Sequence, residues 1–123
     1  ISFKGLLSNS EIMDILDVSD LLAHPALEES FGMTLVEAMA RKVPVIGGQS
    51  SGAVPWVLDQ GRAGKLVDVT DPIAIAAGIL EIGRNEALWA RYSTSGYQHA
   101  KEVFHATTVA KQLIQLYNHI SQN

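Results

Sequence analysis

Short apolar runs alternate with helix-forming segments along this 123-residue chain, and that alternation restricts its fold more than any other feature. Four β-prone runs are the predicted strands: 1–4, 20–25, 43–46 and 64–67. Strands that alternate with helices are typical of a parallel sheet with right-handed crossovers. The central runs lack alternating polar residues, as expected when helices cover both faces of a sheet. The sequence therefore predicts a single α/β domain whose parallel sheet has about four strands.

Capping residues indicate where the helices begin. Ser8 and Glu11 have the spacing of a capping box and predict a helix over about 9–18. Thr34 and Glu37 repeat that spacing and predict a helix over 34–41. The remaining predicted helices are a short one starting near Pro55, one over 72–83 behind an Asp71 N-cap, and two amphipathic C-terminal helices over 86–101 and 108–120.

Composition excludes several classes of function. Hydrophobic residues make up 47% of the chain and charged residues 18%, so it can bury a core. The net charge is -4 with no basic run, which argues against a nucleic-acid partner. The absence of cysteine excludes disulfides, thiolate zinc sites, iron–sulfur clusters and a cysteine nucleophile. No run of about 20 apolar residues and no signal-peptide charge pattern is present, so we expect a cytoplasmic protein.

Two segments lie where a parallel sheet binds its ligands, beyond the carboxyl ends of the strands. They are residues 24–37 and residues 47–55, and both carry glycines, hydroxyls and the start of a helix. Free amides at a helix start hold anions well, so the sequence predicts a ligand that carries phosphate. Further candidates for contact with this ligand are His24, Gly48 and Gly52. For His24, a structural hydrogen bond remains the alternative.

The segment from Glu29 to Glu37, ESFGMTLVE, holds two glutamates in E-x7-E spacing. It continues into AMA and VPVIG, and residues 52–58 read GAVPWVL. This ordered string resembles the donor-site motif of retaining glycosyltransferases with the GT-B architecture, known as group 1 or family 4. The similarity extends over nearly the whole chain, because segments 1–5 and 64–67 also fit the family.

The resemblance implies a partial Rossmann-like sheet with helices on both faces. Residues 1–123 would then be the second half of a C-terminal nucleotide-sugar-binding domain. The family's upstream glycine-rich turn, its basic pair and its N-terminal acceptor domain have no counterpart in this sequence. We therefore expect a fragment that transfers no sugar alone, whose partner is the missing acceptor domain. Through that domain the parent protein could also attach peripherally to a membrane.

The resemblance also implies a role for each motif residue. Glu29 would be the catalytic residue, placed beside the donor sugar and its reacting carbon, and Glu37 would accept hydrogen bonds from the ribose hydroxyls. The implied donor-binding amides are those of Phe31, Gly32 and Met33 for the sugar and of Thr34 and Leu35 for the diphosphate. The substrate would be a hexose on a UDP- or GDP-type nucleotide, transferred with retention, and the family pattern implies no metal and no cofactor.

Other interpretations of the same residues stay open. The chain could be a stand-alone nucleotide-binding or assembly module without catalysis. Glu37 could be only the capping partner of Thr34, and Glu29 an ordinary surface carboxylate. Trp56 stands where many members of the family carry a glutamate, which puts one polar donor contact in question. Finally, an unpaired sheet edge along 1–4 would favour a homodimer.

Overall fold

The computed structural model describes residues 1–121 of the chain. Its strands are β1 (Leu22–His24), β2 (Val45–Gly48) and β3 (Lys65–Val67). Its α-helices are α1 (Asn9–Asp17), α2 (Met33–Ala40), α3 (Val54–Val57), α4 (Pro72–Gly83), α5 (Glu86–His99) and α6 (Ala106–Ser121). A 3-10 turn spans Asp59–Gly61, and a π-helical segment, Ala100–Phe104, joins α5 to α6.

The three strands form one parallel sheet in the order β1-β2-β3. Every residue of the central strand β2 is buried. Val45 pairs with Leu22, and Ile46 pairs with Ala23 on one side and with Lys65 on the other. The predicted α/β fold with a parallel sheet is confirmed, although the sheet has three strands instead of four.

The strand predicted over 1–4 is wrong. This segment has no regular structure, and Ile1 and Phe3 are fully exposed. β-Branched and aromatic residues favour a strand only where a neighbouring strand and a packed face are present, and this segment has neither. The open edges of the sheet are β1 and β3, so residues 1–4 offer no strand edge to a homodimer.

The two predicted capping boxes have different outcomes. At α1 the Ser8 N–H donates to Glu11 Oε2 (2.8 Å) and the Glu11 N–H to Ser8 Oγ (3.4 Å), which confirms the first box. The second box is wrong, because α2 begins at Met33 behind Gly32, whose side chain cannot cap. Glu37 therefore lies in the second turn of α2. The reason is that Gly32 adopts a left-handed conformation (φ 89°) and takes the N-cap position, two residues before Thr34.

Apolar side chains cover both faces of the sheet. Successive residues of a strand point to opposite faces, and Val45 and Ile46 accordingly belong to different core clusters. The first cluster packs α2 and α3 on one face, with Leu35 and Val54 fully buried. The second packs α4 and α5 on the other, around Ile82. Burial of each such aliphatic side chain contributes about 1.5–3 kcal/mol to the stability of the fold. The helices on both faces therefore hold the strand ends in place.

The C-terminal helices behave differently from each other. α5 packs through Tyr92, Ser93 and Gly96, and a side chain at Gly96 would meet the Ala63 carbonyl oxygen at 2.9 Å. α6 has no buried residue, although its sequence is amphipathic. Among residues 1–121, no helix combines the length and the apolar character that crossing a bilayer requires.

Candidate functional site

Two loops meet beyond the carboxyl ends of β1 and β2. We call residues 25–32 the Glu29 loop and residues 49–53 the Gly52 loop. The Ser51 hydroxyl, which is 1% exposed, donates to the Ala26 carbonyl oxygen (2.6 Å). The Ala53 N–H donates to the Glu29 carbonyl oxygen (3.0 Å). These two bonds join the loops, so the predicted ligand-binding edge of the sheet is one connected structure.

The Gly52 loop depends on glycine for a close approach. Gly52 has φ 54°, and a Cβ there would lie closer than 3.0 Å to the Glu29 carbonyl oxygen. A Cβ at Gly48 would collide with the Ser51 hydroxyl in the same way. The sequence prediction placed both glycines near a ligand, and the structure gives each of them a part in holding the two loops together.

An open cleft lies between the loops. It is lined by Glu28, Glu29, Ser30, Ser50 and Gly52. Glu29 and Gly52 are predicted site residues, and the structure adds Glu28, Ser30 and Ser50 to the lining. Their only sequence signal is their position in the two segments that follow the strands.

The Glu29 carboxylate is oriented from both oxygens. Oε1 accepts the Phe31 N–H at 3.2 Å, and Oε2 lies 3.2 Å from Nε2 of His24. The Glu29 and His24 side chains are 26% and 21% exposed. The Phe31 amide is the main cause that lowers the pKa of Glu29, His24 adds to the effect, and partial desolvation opposes it. The structure therefore gives His24, the last residue of β1, a partner in the predicted site.

We expect Glu29 to stabilise the fold less as the pH falls. Its pKa is lowered in the folded chain, so its stabilising effect is fully present above the unfolded pKa and is lost as the pH falls through the folded one. Urea unfolding of the wild type and of Glu29→Gln between about pH 3 and 7 tests this. The difference in free energy of unfolding should shrink towards acid pH, and a difference independent of pH would contradict the prediction.

The start of α2 presents backbone amides beside this carboxylate. Its N-cap, Gly32, is buried, and a Cβ there would lie 2.7 Å from Leu35 Cδ1. The Leu35 N–H donates to the Gly32 carbonyl oxygen (3.0 Å), and the Phe31 N–H is occupied by Glu29. The expectation of free amides is therefore not met at these two residues. Within residues 1–121, the amides of Gly32, Met33 and Thr34 have no acceptor.

The other predicted residues lie along α2. The Leu35 side chain is fully buried in the core, and the Met33 side chain is exposed. Glu37 is half-buried in the second turn and does not line the cleft with Glu29. Within residues 1–121, no group of three or more metal-ligating side chains is placed to hold an ion. The structure thus places one oriented carboxylate directly before the start of α2, whereas the Glu37 carboxylate lies further along that helix and outside the lining of the cleft.

Comparison with known proteins gives consistent matches. The sequence model of the family described as "Glycosyl transferases group 1" matches residues 1–99. D-inositol 3-phosphate glycosyltransferase of Corynebacterium glutamicum is 33% identical over 109 residues, which are 89% of this chain and 26% of that protein. N-acetyl-alpha-D-glucosaminyl L-malate synthase of Bacillus anthracis is 30% identical over 106 residues, covering 86% of this chain and 28% of that protein.

The fold is also similar to that of a solved enzyme. Sucrose-phosphate synthase from Thermosynechococcus elongatus superposes with a TM-score of 0.85 at 25% identity, over 98% of this chain and 30% of the other. The chain therefore spans between a quarter and a third of the length of these relatives. Because the family model matches residues 1–99, which are most of the sequence, this chain belongs to the group 1 glycosyl transferases.

Proposed function

We propose that this chain is the donor-binding part of a retaining glycosyltransferase. In the proposal, the whole protein moves a hexose from a UDP- or GDP-type sugar to an acceptor hydroxyl. One observation carries it: the oriented Glu29 carboxylate lies directly before free amides at the start of α2. Amides and the helix dipole stabilise an anion such as a diphosphate, whereas a carboxylate stabilises positive charge. Both charges develop when a sugar leaves a diphosphate.

The proposed division of the protein follows from the lengths involved. The relatives are three to four times longer than this chain. We propose that residues 1–123 form the second half of a C-terminal nucleotide-sugar-binding domain. The remaining donor contacts and the acceptor domain would come from the rest of the parent polypeptide. The acceptor specificity would then be set by residues outside this chain.

The proposed roles are assigned to the backbone amides that have no acceptor and to the two glutamate carboxylates. The amides of Gly32, Met33 and Thr34 would contact the sugar and the diphosphate, and Glu37 would accept hydrogen bonds from the ribose hydroxyls. Glu29 would stabilise positive charge at the anomeric carbon. The leaving phosphate oxygen would take the proton of the acceptor hydroxyl as the new C–O bond forms on the face from which the old one breaks. The proposed reaction uses no cofactor besides the sugar nucleotide.

Calorimetric titration with UDP and with GDP tests the proposal in the complete polypeptide that contains this sequence. We expect heat for at least one nucleotide. Glu37→Ala should weaken its binding by about ten- to a hundredfold, because a hydrogen bond to a charged group is worth about 1.5–3 kcal/mol. If neither nucleotide binds, the proposal is overturned.

Glu102→Ala is the matched control for this titration. Glu102 is an exposed glutamate in the π-helical segment, outside the cleft. Its replacement removes the same charge and should leave the nucleotide affinity unchanged. Equal losses in the two variants would mean that Glu37 acts only through net charge.

A further inference from the structure

Three aromatic rings meet behind the Glu29 loop. The Phe31 ring centroid lies 6.0 Å from that of Trp56 in α3 and 5.6 Å from that of Phe104. Trp56 and Phe104 are 5.5 Å apart, nearly perpendicular. Such tilted and edge-on pairs are favourable, by about 0.5–1.5 kcal/mol each beyond the apolar area that they bury. The three rings therefore form one mutually supported cluster.

Phe104 reaches this cluster because of the π-helical segment. Phe104 is the last residue of Ala100–Phe104, and the backbone becomes extended at His105 (φ −64°, ψ 136°). The ring of His99, at the end of α5, packs perpendicular to Phe104 at 5.4 Å. An insertion of this kind widens one helical turn and changes the direction in which the following side chains point, and it is frequent at functional sites. Here it places an aromatic ring against the Glu29 loop.

Phe31 connects the ring cluster to the carboxylate. Its ring packs on Phe104, while its N–H donates to Glu29 Oε1 at 3.2 Å. Both groups belong to one residue, so the packing of the ring against the other two rings of the cluster helps to hold the Phe31 backbone in place. A shift of that backbone would move the amide that orients the carboxylate. Glu29 Oε1 accepts the Phe31 N–H and Oε2 lies against His24 Nε2, while the Ser30 backbone amide makes a smaller contribution. Loss of the Phe31 bond would remove the largest of these contributions.

We propose that Phe104 is a positioning residue that acts through Phe31 on the Glu29 carboxylate, with Trp56 as the third ring that holds Phe31 in place. The inference rests on the proposed function for its catalytic consequence. The C-terminal segment thus contributes to the donor site without touching the substrate. Trp56 in α3 supplies the third ring of this cluster.

The first test measures the carboxylate directly in the 123-residue chain. Phe104→Leu keeps an apolar side chain of similar size and removes the ring, whereas Phe104→Tyr keeps the ring. We expect the pKa of Glu29, followed by its carboxyl carbon in an NMR titration, to rise in Phe104→Leu and to keep its wild-type value in Phe104→Tyr. Phe3→Leu is the matched control, because Phe3 is exposed and lies outside the cluster.

The second test measures sugar transfer in the complete polypeptide with UDP- and GDP-hexoses. Phe104→Leu should lower kcat by about tenfold and leave the donor KM within about twofold, because small misplacements of a catalytic group cost up to about a hundredfold. Phe104→Tyr, which keeps the ring, should have the kcat of the wild type. An unchanged Glu29 pKa together with an unchanged kcat in Phe104→Leu would overturn the inference. If the wild type transfers no hexose, the proposed function fails, and the Glu29 pKa alone then decides the inference.

Discussion

Glu29→Gln in the complete polypeptide is expected to lower kcat for sugar transfer on the order of a hundredfold, the effect of removing one pre-oriented group that stabilises developing charge. Glutamine has nearly the same shape, so the loop should keep its path, but the charge beside the reacting carbon is lost. The affinity for the nucleotide alone should stay within about threefold, because Glu29 would contact the sugar and not the nucleotide. Initial rates and calorimetry on the same preparations measure both quantities.

Glu28→Gln is the control for this prediction. Glu28 is the preceding residue and lines the same cleft, but within residues 1–121 its carboxylate has no hydrogen-bond partner. It should keep kcat within about threefold, as expected of a solvated surface charge. If Glu28→Gln were as inactive as Glu29→Gln, the effect would come from the overall charge of the cleft. A fully active Glu29→Gln would remove Glu29 from the mechanism.

Gly52→Ala is expected to destabilise the fold and to displace the Glu29 loop. The new Cβ would lie closer than 3.0 Å to the Glu29 carbonyl oxygen, and φ is 54°. A left-handed conformation costs an alanine about 1–2 kcal/mol, and the collision adds an overpacking term, so we expect a total of about 2–5 kcal/mol. Urea unfolding measures the loss of stability, and the rate of sugar transfer should fall with it.

Gly61→Ala is the control that separates the cost of the left-handed backbone from the cost of the contact between the new Cβ and its neighbours. Gly61 also has a positive φ of 90°, but a Cβ there would meet Leu66 only at an ordinary 3.8 Å. Its alanine variant should lose only the conformational term of about 1–2 kcal/mol and should keep the activity of the site. If both variants lost the same free energy of unfolding, the contact with the Glu29 carbonyl would be unimportant.

Local sequence signals predicted much of the fold. The Ser8–Glu11 box and the Asp71–Pro72 pair were confirmed as helix starts because their hydrogen bonds join residues only two or three positions apart. Thr34 and Glu37 have the same spacing, yet the N-cap of α2 is Gly32. A Cβ at Gly32 would press on the side chains of Leu35 and Glu29, so the left-handed backbone at this position requires glycine. The spacing of Thr34 and Glu37 carries no information about these contacts.

At the site, the order of chemical groups can be read from the sequence alone: a histidine at a strand end, two glutamates in E-x7-E spacing and glycines after two strands. Which of these groups meet depends on the tertiary structure. It brought Gly52 against the Glu29 carbonyl and occupied the amides of Phe31 and Leu35. It also brought Phe104 onto the ring of Phe31. Local spacing specifies turns and helix faces, whereas contacts between distant segments arise only when the core packs.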